Sequence, residues 1–243
     1  MKVIDVYNAV NEIAPFDNCC DWDNSGLICG SMDEDVTGVL VTLDADRYAL
    51  EMALKNGCNV VVSHHPIIWD ALKRVTDGEI VYHYIQNGIS VISAHTCLDA
   101  ATDGINDILA DMMGMEDRKP FMCDGIGLGR YGKVTDEGIQ SLISKIGTRA
   151  DCVISRPVQY AAVIGGAGGS ELRDALALGC DTLVTGEAKH DRFVDAENLG
   201  INLVVLGHYE TEAVIVQPLC NKLSGMLDTK VIASDRKPLV TRR

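Results

Sequence analysis

Residues 53–65, ALKNGCNVVVSHH, indicate the fold class most clearly. The first four of them continue a helix-like segment, Gly57 ends that segment, and a run of β-branched residues follows directly. A helix that ends at glycine and leads into such a strand is a typical α/β unit, because glycine accepts the left-handed conformation at a helix end. The predicted strand covers residues 58–63, and His64 and His65 come immediately after it.

The same alternation of helices and strands extends in both directions along the chain. It predicts an α/β fold with mostly parallel sheets covered by helices on both faces. Residues 125–134, GIGLGRYGKV, are glycine-rich and are assigned neither helix nor strand. The predicted helices are 3–13, 47–56, 78–87, 104–113 and 136–146, and the predicted strands are 38–43, 58–63, 89–94 and 160–164.

Two parts of the chain resemble each other. Residues 53–58, ALKNGC, match residues 175–180, ALALGC, and each is followed by an apolar strand. Further on, His95 and His208 each open a His-x-x-x-carboxylate motif. Any two helix–glycine–strand units look alike, but the second match favours an internal duplication. We therefore predict two related α/β lobes, residues 1–120 and 121–243.

Composition excludes several classes of protein. The chain has 243 residues with a net charge of −14, which disfavours a nucleic acid as partner. Neither a membrane-spanning apolar run nor a signal peptide is recognisable, so we predict a cytoplasmic protein that does not contact the membrane. The nine cysteines form no C-x-x-C pair, which favours reduced, buried thiols over the alternative of a thiolate zinc site.

Four of the six histidines follow predicted strands, at the edge of the sheet where α/β proteins bind their ligands. They are His64 and His65 after CNVVVS, His95 after SVISA and His208 after the further apolar strand NLVVLG. A single histidine there is usually structural, but carboxylates accompany two of these four. If helices begin at His95 and His208, the acids four residues later, Asp99 and Glu212, share a face with them. Imidazole and carboxylate donors suit zinc, manganese or iron. The donor pool exceeds the roughly four that one ion needs, so two ions are predicted.

Two further features are given their simpler interpretation. Residues 165–170, GGAGGS, follow a strand and precede a helix, where backbone amides bind anions in other proteins. They lack the complete dinucleotide or P-loop pattern, so a tight turn is expected instead. Cys97 lies between His95 and Asp99, and we expect it to pack in the core.

Five motifs occur in an order that resembles one known family. They are WDNSGL (22–27), SHHP (63–66), HTCLDA (95–100), TGE (185–187) and GHYETE (207–212). Together they resemble the Nif-three-like family with a dinuclear metal centre, also called GTP cyclohydrolase I type 2 homologs. They span nearly the whole chain. Cys97 stands where the family usually has asparagine.

The resemblance implies a two-lobed α/β protein assembled as a ring-shaped homohexamer, a trimer of dimers. Some family members carry an extra domain between the halves, but the short connection here, residues 117–160, leaves no room for one. It also implies a site between the lobes, at the carboxyl ends of the strands, that holds two divalent metal ions. These would be zinc, iron or manganese, and no further cofactor is expected. The implied metal ligands are His64, His65, Asp99, His208 and Glu212.

The family name implies a metal-dependent hydrolase that opens the ring of GTP and releases formate. Its substrate would then be a small molecule, with a nucleotide as the named candidate, and His95 and Glu187 would be the catalytic residues that transfer protons. The alternative is a non-catalytic hexamer that binds metal or a partner protein. A ring that encloses nucleic acid is disfavoured by the net charge of −14.

Overall fold

The computed structural model describes residues 1–239, which form two compact units. Residues 1–101 and 215–237 build the first unit, and residues 102–214 build most of the second. These units differ from the predicted ranges 1–120 and 121–243 because the C-terminal segment returns to the first unit.

Helices and strands alternate along the described chain, as the sequence predicts for an α/β fold. The strands are β1 (Gly26–Cys29), β2 (Val39–Asp44), β3 (Val60–His65), β4 (Ser90–Ser93), β5 (Glu116–Cys123), β6 (Ile126–Lys133), β7 (Asp151–Val153), β8 (Tyr160–Ile164), β9 (Thr182–Thr185), β10 (Asn202–Val205) and β11 (Val231–Ala233). The α-helices are α1 (Val3–Ile13), α2 (Arg47–Asn56), α3 (Ile80–Gln86), α4 (Thr96–Ala100), α5 (Ile105–Met112), α6 (Asp136–Ile146), α7 (Leu172–Ala177), α8 (His190–Leu199), α9 (His208–Glu212) and α10 (Val216–Met226).

The sheet of the first unit has the order β1-β4-β3-β2-β11. All its pairs are parallel except β1 with β4. One apolar cluster packs α2 and α3 against this sheet, with Leu40, Leu50, Val61, Tyr84 and Val91 among its members. Parallel strands run in one direction, so the carboxyl ends of β2, β3 and β4 lie along the same edge.

The sheet of the second unit has the order β5-β6-β8-β9-β10-β7. Its centre, β8-β9-β10, is parallel, whereas β5, β6 and β7 pair antiparallel, so this sheet is mixed rather than mostly parallel. Its apolar cluster contains Phe121, Ala162, Leu172, Leu183 and Leu203.

The glycine-rich residues 125–134 contain strand β6, which the sequence analysis left unassigned. A Cβ atom on Gly129 would lie 2.6 Å from Ile164 Cγ1, and one on Gly132 would lie 2.4 Å from the Glu116 carbonyl oxygen. These glycines therefore let neighbouring chain segments approach closely, a use of glycine within strands that composition alone does not distinguish from a loop.

The two matched sequences form the same local structure. Gly57 and Gly179 both have positive φ angles, 66° and 84°. The residue after each glycine donates a backbone hydrogen bond back over the helix end, Cys58 to Ala53 at 2.9 Å and Cys180 to Ala175 at 3.0 Å. Each unit also contains three consecutive strands that pair in parallel in chain order, β2-β3-β4 in the first and β8-β9-β10 in the second. Descent of both from one duplicated segment stays a prediction.

Among residues 1–239 no helix is both long and apolar enough to cross a membrane.

Candidate metal centre

Three histidine rings gather at the carboxyl edge of the first unit's sheet. His64 and His65 are the last two residues of β3, and His95 directly precedes α4. One ring nitrogen of each residue lies within 4.8 Å of the others. We call these three residues the imidazole cluster. The structure thus brings together the three predicted histidines of this unit.

The histidine pair lies inside strand β3, whereas the predicted strand ended at residue 63 and placed both histidines after it. β3 continues to His65 because that residue pairs in parallel register with Asp44 of β2. Neighbouring strand residues point to opposite faces, and here His64 is only 1% exposed while His65 is partly exposed. Their ring centroids are still only 4.9 Å apart, so the two rings approach each other although they leave the strand from opposite faces.

Each ring of the imidazole cluster is held through its Nδ1 atom by an oxygen that only accepts hydrogen bonds. The Nδ1 atom must therefore carry the hydrogen, which places the lone pair on Nε2. Metal-binding histidines in proteins are commonly oriented by such a second contact, which fixes the ring and its tautomer. The three contacts are His64 to the Ala94 carbonyl at 3.0 Å, His65 to Asp44 Oδ1 at 2.8 Å and His95 to Asp23 Oδ1 at 2.9 Å.

Asp23 organises the segment around His95. Its fully buried carboxylate also accepts hydrogen bonds from the backbone and hydroxyl of Thr96, at 3.0 and 2.6 Å, and from the Ser25 hydroxyl at 3.1 Å. Burial by itself would raise the pKa of Asp23, but the hydrogen bonds from His95 and Thr96 outweigh it and lower that pKa. Asp23 is therefore ionised at neutral pH, and it attracts the proton on His95 Nδ1.

Asp99 approaches the imidazole cluster from α4. Its Oδ2 atom lies 4.0 Å from His64 Nε2. Two ligands of one ion are separated by at most about twice the bond length, roughly 4.2 Å, so this pair fits a shared ion. The sequence analysis paired Asp99 with His95 by helical spacing. His95 has φ −97° and ψ −105°, outside the helical region, so that spacing does not apply.

In the second unit, His208 and Glu212 form a compact donor pair. They are the first and last residues of α9, and His208 Nε2 lies 3.0 Å from Glu212 Oε2. This confirms the helical spacing predicted for the second motif. The separation suits two adjacent ligands on one ion with bonds of about 2.1 Å. His208 Nδ1 lies 3.3 Å from Glu187 Oε1, a carboxylate that is largely exposed.

The loop that begins at Gly165 is a tight turn, as expected, and its amides are occupied by protein oxygens. Gly165 donates to Asn106 Oδ1 at 2.8 Å, Gly166 to Thr211 Oγ1 at 3.0 Å, and Gly168 to Thr185 Oγ1 at 2.9 Å. These contacts leave no basis for the alternative of an anion bound by those three amides.

The loop also sets the position of Glu212. Gly166 has φ +61°, and a Cβ atom there would lie 2.1 Å from Glu212 Oε1. The buried carboxylate thus packs directly against the glycine backbone, which only a residue without a side chain permits.

The nine cysteines are all free of disulfides, and five of them are buried, as predicted for reduced thiols packed in the core. Cys97 is fully buried, and burial raises its pKa to about 12. Burial likewise raises the pKa of Cys180 to about 12. Both are therefore protonated thiols at neutral pH and poor metal ligands.

Asp23 and Asp44 accept hydrogen bonds from His95 and His65, and neither aspartate was predicted as a site residue from the sequence. Asp44 ends strand β2 just as His65 ends β3, so its position beside the histidines was readable once the strands were aligned. Asp23 lies within the quoted WDNSGL motif, but it precedes β1 in an irregular segment, and nothing in the sequence pairs it with His95.

Comparison with known proteins gives consistent results. The family model for Duf34/NIF3 (NGG1p interacting factor 3) matches residues 1–238. A GTP cyclohydrolase 1 type 2 homolog of Clostridium perfringens is 27% identical over 248 residues, which cover 95% of this chain and 94% of that protein. A protein of the same description from Methanocaldococcus jannaschii is 29% identical over 245 residues, 97% of this chain and 100% of that protein.

Solved structures share the fold. The hypothetical protein SA1388 of Staphylococcus aureus superposes with a TM-score of 0.90 at 27% identity and covers 100% of this chain and 99% of its own. Reduced HcgD from Methanocaldococcus jannaschii gives a TM-score of 0.88 at 29% identity, covering 97% and 98%. With its motifs, fold and whole-chain match to the family model, the chain belongs to the Duf34/NIF3 family.

Proposed function

We propose that this protein is a metal-dependent hydrolase with a dinuclear centre of zinc, iron or manganese. The metal ligands in this proposal are His64, His65 and Asp99 from the first unit, and His208 and Glu212 from the second. Relatives named GTP cyclohydrolase 1 type 2 homolog support the reaction class, with GTP ring opening and formate release as the candidate reaction.

The observation that carries the proposal is the orientation of the imidazole cluster. Three rings present Nε2 lone pairs while oxygens hold their Nδ1 atoms. A buried imidazole N–H needs an acceptor in any protein, but ring nitrogens of three histidines that converge within 4.8 Å of one another favour a metal site. Carboxylate oxygens lie at ligand-like distances in both units, 4.0 Å from His64 and 3.0 Å from His208. Such mixed donors suit zinc, iron or manganese.

When bound, the metal pair would supply Lewis-acid activation of water at neutral pH. The protein's own residues would orient the substrate and move protons. His95 is suited to proton transfer because Asp23 fixes its tautomer and the ring remains partly exposed. Glu187 is suited to the same role, since its carboxylate is exposed and lies next to His208. That contact also lets Glu187 orient His208, as Asp44 orients His65.

Assembly into a homohexamer and a cytoplasmic location stay predictions. The first comes from the family resemblance, and the second from the absence of targeting signals in the sequence.

The metal ligands are tested by counting metal ions and measuring turnover in the same samples. Protein purified without chelator is expected to contain two ions per chain and to hydrolyse at least one member of a panel of nucleotides and phosphoesters. His64→Ala is expected to lose metal and to reduce turnover by at least about a hundredfold, because its imidazole would be a direct ligand. Elemental analysis and product chromatography give the two readouts.

His83→Ala is the matched control, since the ring of this α3 histidine forms a hydrogen bond only with the Asp77 carbonyl among residues 1–239. It should retain both metal and activity. Wild-type protein with fewer than one ion per chain would refute the metal site. Bound metal without turnover on any compound of the panel would refute the hydrolase and favour the non-catalytic alternative.

A further inference from the structure

The two tryptophans of the chain, Trp22 and Trp69, are unusually exposed. Trp22 shows 59% and Trp69 53% of its surface to solvent, although indole rings are among the side chains that gain most from burial. Single exposed aliphatic residues are common on protein surfaces. Two exposed indoles beside one cluster of polar rings are not explained in that way.

Both indoles lie against the imidazole cluster. The Trp69 ring centroid is 5.0 Å from that of His95 at an interplanar angle of 89°, and 5.8 Å from that of His65. The Trp22 ring centroid is 5.9 Å from that of His95 at 68°. Both residues nevertheless keep more than half of their surface exposed, so part of each indole remains accessible to another planar group.

Hydrogen bonds fix the backbone next to each indole. Asn24, two residues after Trp22, donates from its side chain to the carbonyl of Ile68, which directly precedes Trp69, at 2.7 Å. Asp23, next to Trp22, is bonded to His95 and Thr96. The two rings are thus presented from neighbouring, anchored segments, and little ordering would be needed when a ligand binds.

We propose that Trp22 and Trp69 form an aromatic subsite that binds the planar heteroaromatic ring of the substrate beside the imidazole cluster. The proposal rests on the proposed function and narrows its substrate class to molecules with such a ring. Bases of any sequence stack on aromatic side chains, because each has a π-face. Aromatic cages also bind quaternary ammonium groups, but a cationic ligand would be repelled by divalent ions held at the adjacent histidines.

Intrinsic tryptophan fluorescence tests the subsite directly, because the chain has only these two tryptophans and excitation at the red edge of their absorption avoids its seven tyrosines. Guanosine and adenosine are titrated into chelator-treated and zinc-loaded protein, with ribose 5-phosphate as the probe that lacks the ring. We expect saturable quenching by the nucleosides and none by ribose 5-phosphate. Trp69→Leu and Trp22→Leu, which each keep one reporter, should weaken nucleoside binding roughly tenfold, and Trp69→Phe should largely restore it.

Leu72→Ser is the matched control, because it removes an exposed apolar residue from the same segment without removing a ring. It should leave nucleoside affinity unchanged. Equal affinity in the wild type and both leucine variants would overturn the subsite. So would a changed oligomer mass in those variants with unchanged nucleoside binding, since the indoles would then serve contacts between copies of the chain.

The assay separates this proposal from the hydrolase proposal because it needs no turnover. Tryptophan-dependent nucleoside binding without hydrolysis would leave the subsite standing and refute the enzyme. Hydrolysis that is insensitive to both leucine substitutions, together with no fluorescence quenching by the nucleosides, would refute the subsite and leave the hydrolase proposal standing.

Discussion

At the scale of single residues, the candidate centre depends on carboxylates that stand behind the histidines. Asp44 and Asp23 accept from the Nδ1 atoms of His65 and His95 and thereby leave the lone pair of each ring on Nε2. The sequence predicted which residue types could bind metal. It did not predict these orienting partners, because Asp23 and His95 are 72 positions apart and meet only in the folded chain.

Asp23→Asn is expected to destabilise the metal-free protein by about 3 kcal/mol at pH 7, because it removes a buried charge that accepts several hydrogen bonds. The pKa of Asp23 is lowered in the folded state, so its contribution is fully present above the unfolded value of about 3.9 and is lost as the pH falls below that. The stability gap between wild type and variant should therefore shrink between about pH 4 and pH 2.

Urea unfolding of chelator-treated protein across this pH range measures the gap. Asp21→Asn, a change at an exposed carboxylate two residues away, serves as control and should cost less than about 0.5 kcal/mol. A gap that is independent of pH down to 2 would contradict the role given to the ionised Asp23.

Among the secondary-structure elements, short ones carry the candidate metal ligands and pack them against neighbouring backbone. The five-residue helix α9 places His208 and Glu212 side by side, and the turn at Gly166 packs against the Glu212 carboxylate. Helical spacing predicted the His208–Glu212 pair correctly. The same rule paired Asp99 with His95, although His95 precedes α4 in a non-helical conformation and the Asp99 carboxylate approaches His64.

Gly166→Ala is expected to reduce metal binding, because the added Cβ would lie 2.1 Å from Glu212 Oε1 and displace that carboxylate. The positive φ angle would add about 1–2 kcal/mol of backbone strain. Metal stoichiometry and thermal unfolding are the two measurements.

Gly179→Ala separates the two effects. Gly179 also has a positive φ angle, but nothing lies within 4 Å of a Cβ atom there. This variant should show the same strain and bind metal normally. Equal metal loss in both variants would mean that strain, and not contact with Glu212, is responsible.

At the scale of the whole molecule, the chain does not divide in sequence order. After the second unit it returns, and α10 packs against β2 while β11 pairs in parallel with the same strand. The sequence analysis assigned all residues after 120 to the second lobe, because no local pattern reveals which sheet a late strand will join.

Leu223→Ala in α10 is expected to destabilise the first unit by about 2–5 kcal/mol, since this fully buried side chain would leave a cavity. Hydrogen exchange should show reduced protection in β2 and β3, which are distant in sequence. Peptides from β9 and β10 should be unaffected.

Met226→Ala, at an exposed position of the same helix, is the control and should change protection little. Lost protection in β9 and β10 rather than in β2 and β3 would show that the division into units is wrong.

Sequence by itself determined the α/β class, the helix-glycine-strand units, the family and the metal-binding residue types, because these depend on local periodicity and on motifs of a few residues. Tertiary structure decided the orientation of each histidine, the partner of Asp99, the strand within residues 125–134 and the return of α10 and β11. Each of these is a contact between segments far apart in the chain, whose geometry is set by sheet register and packing rather than by neighbouring residues.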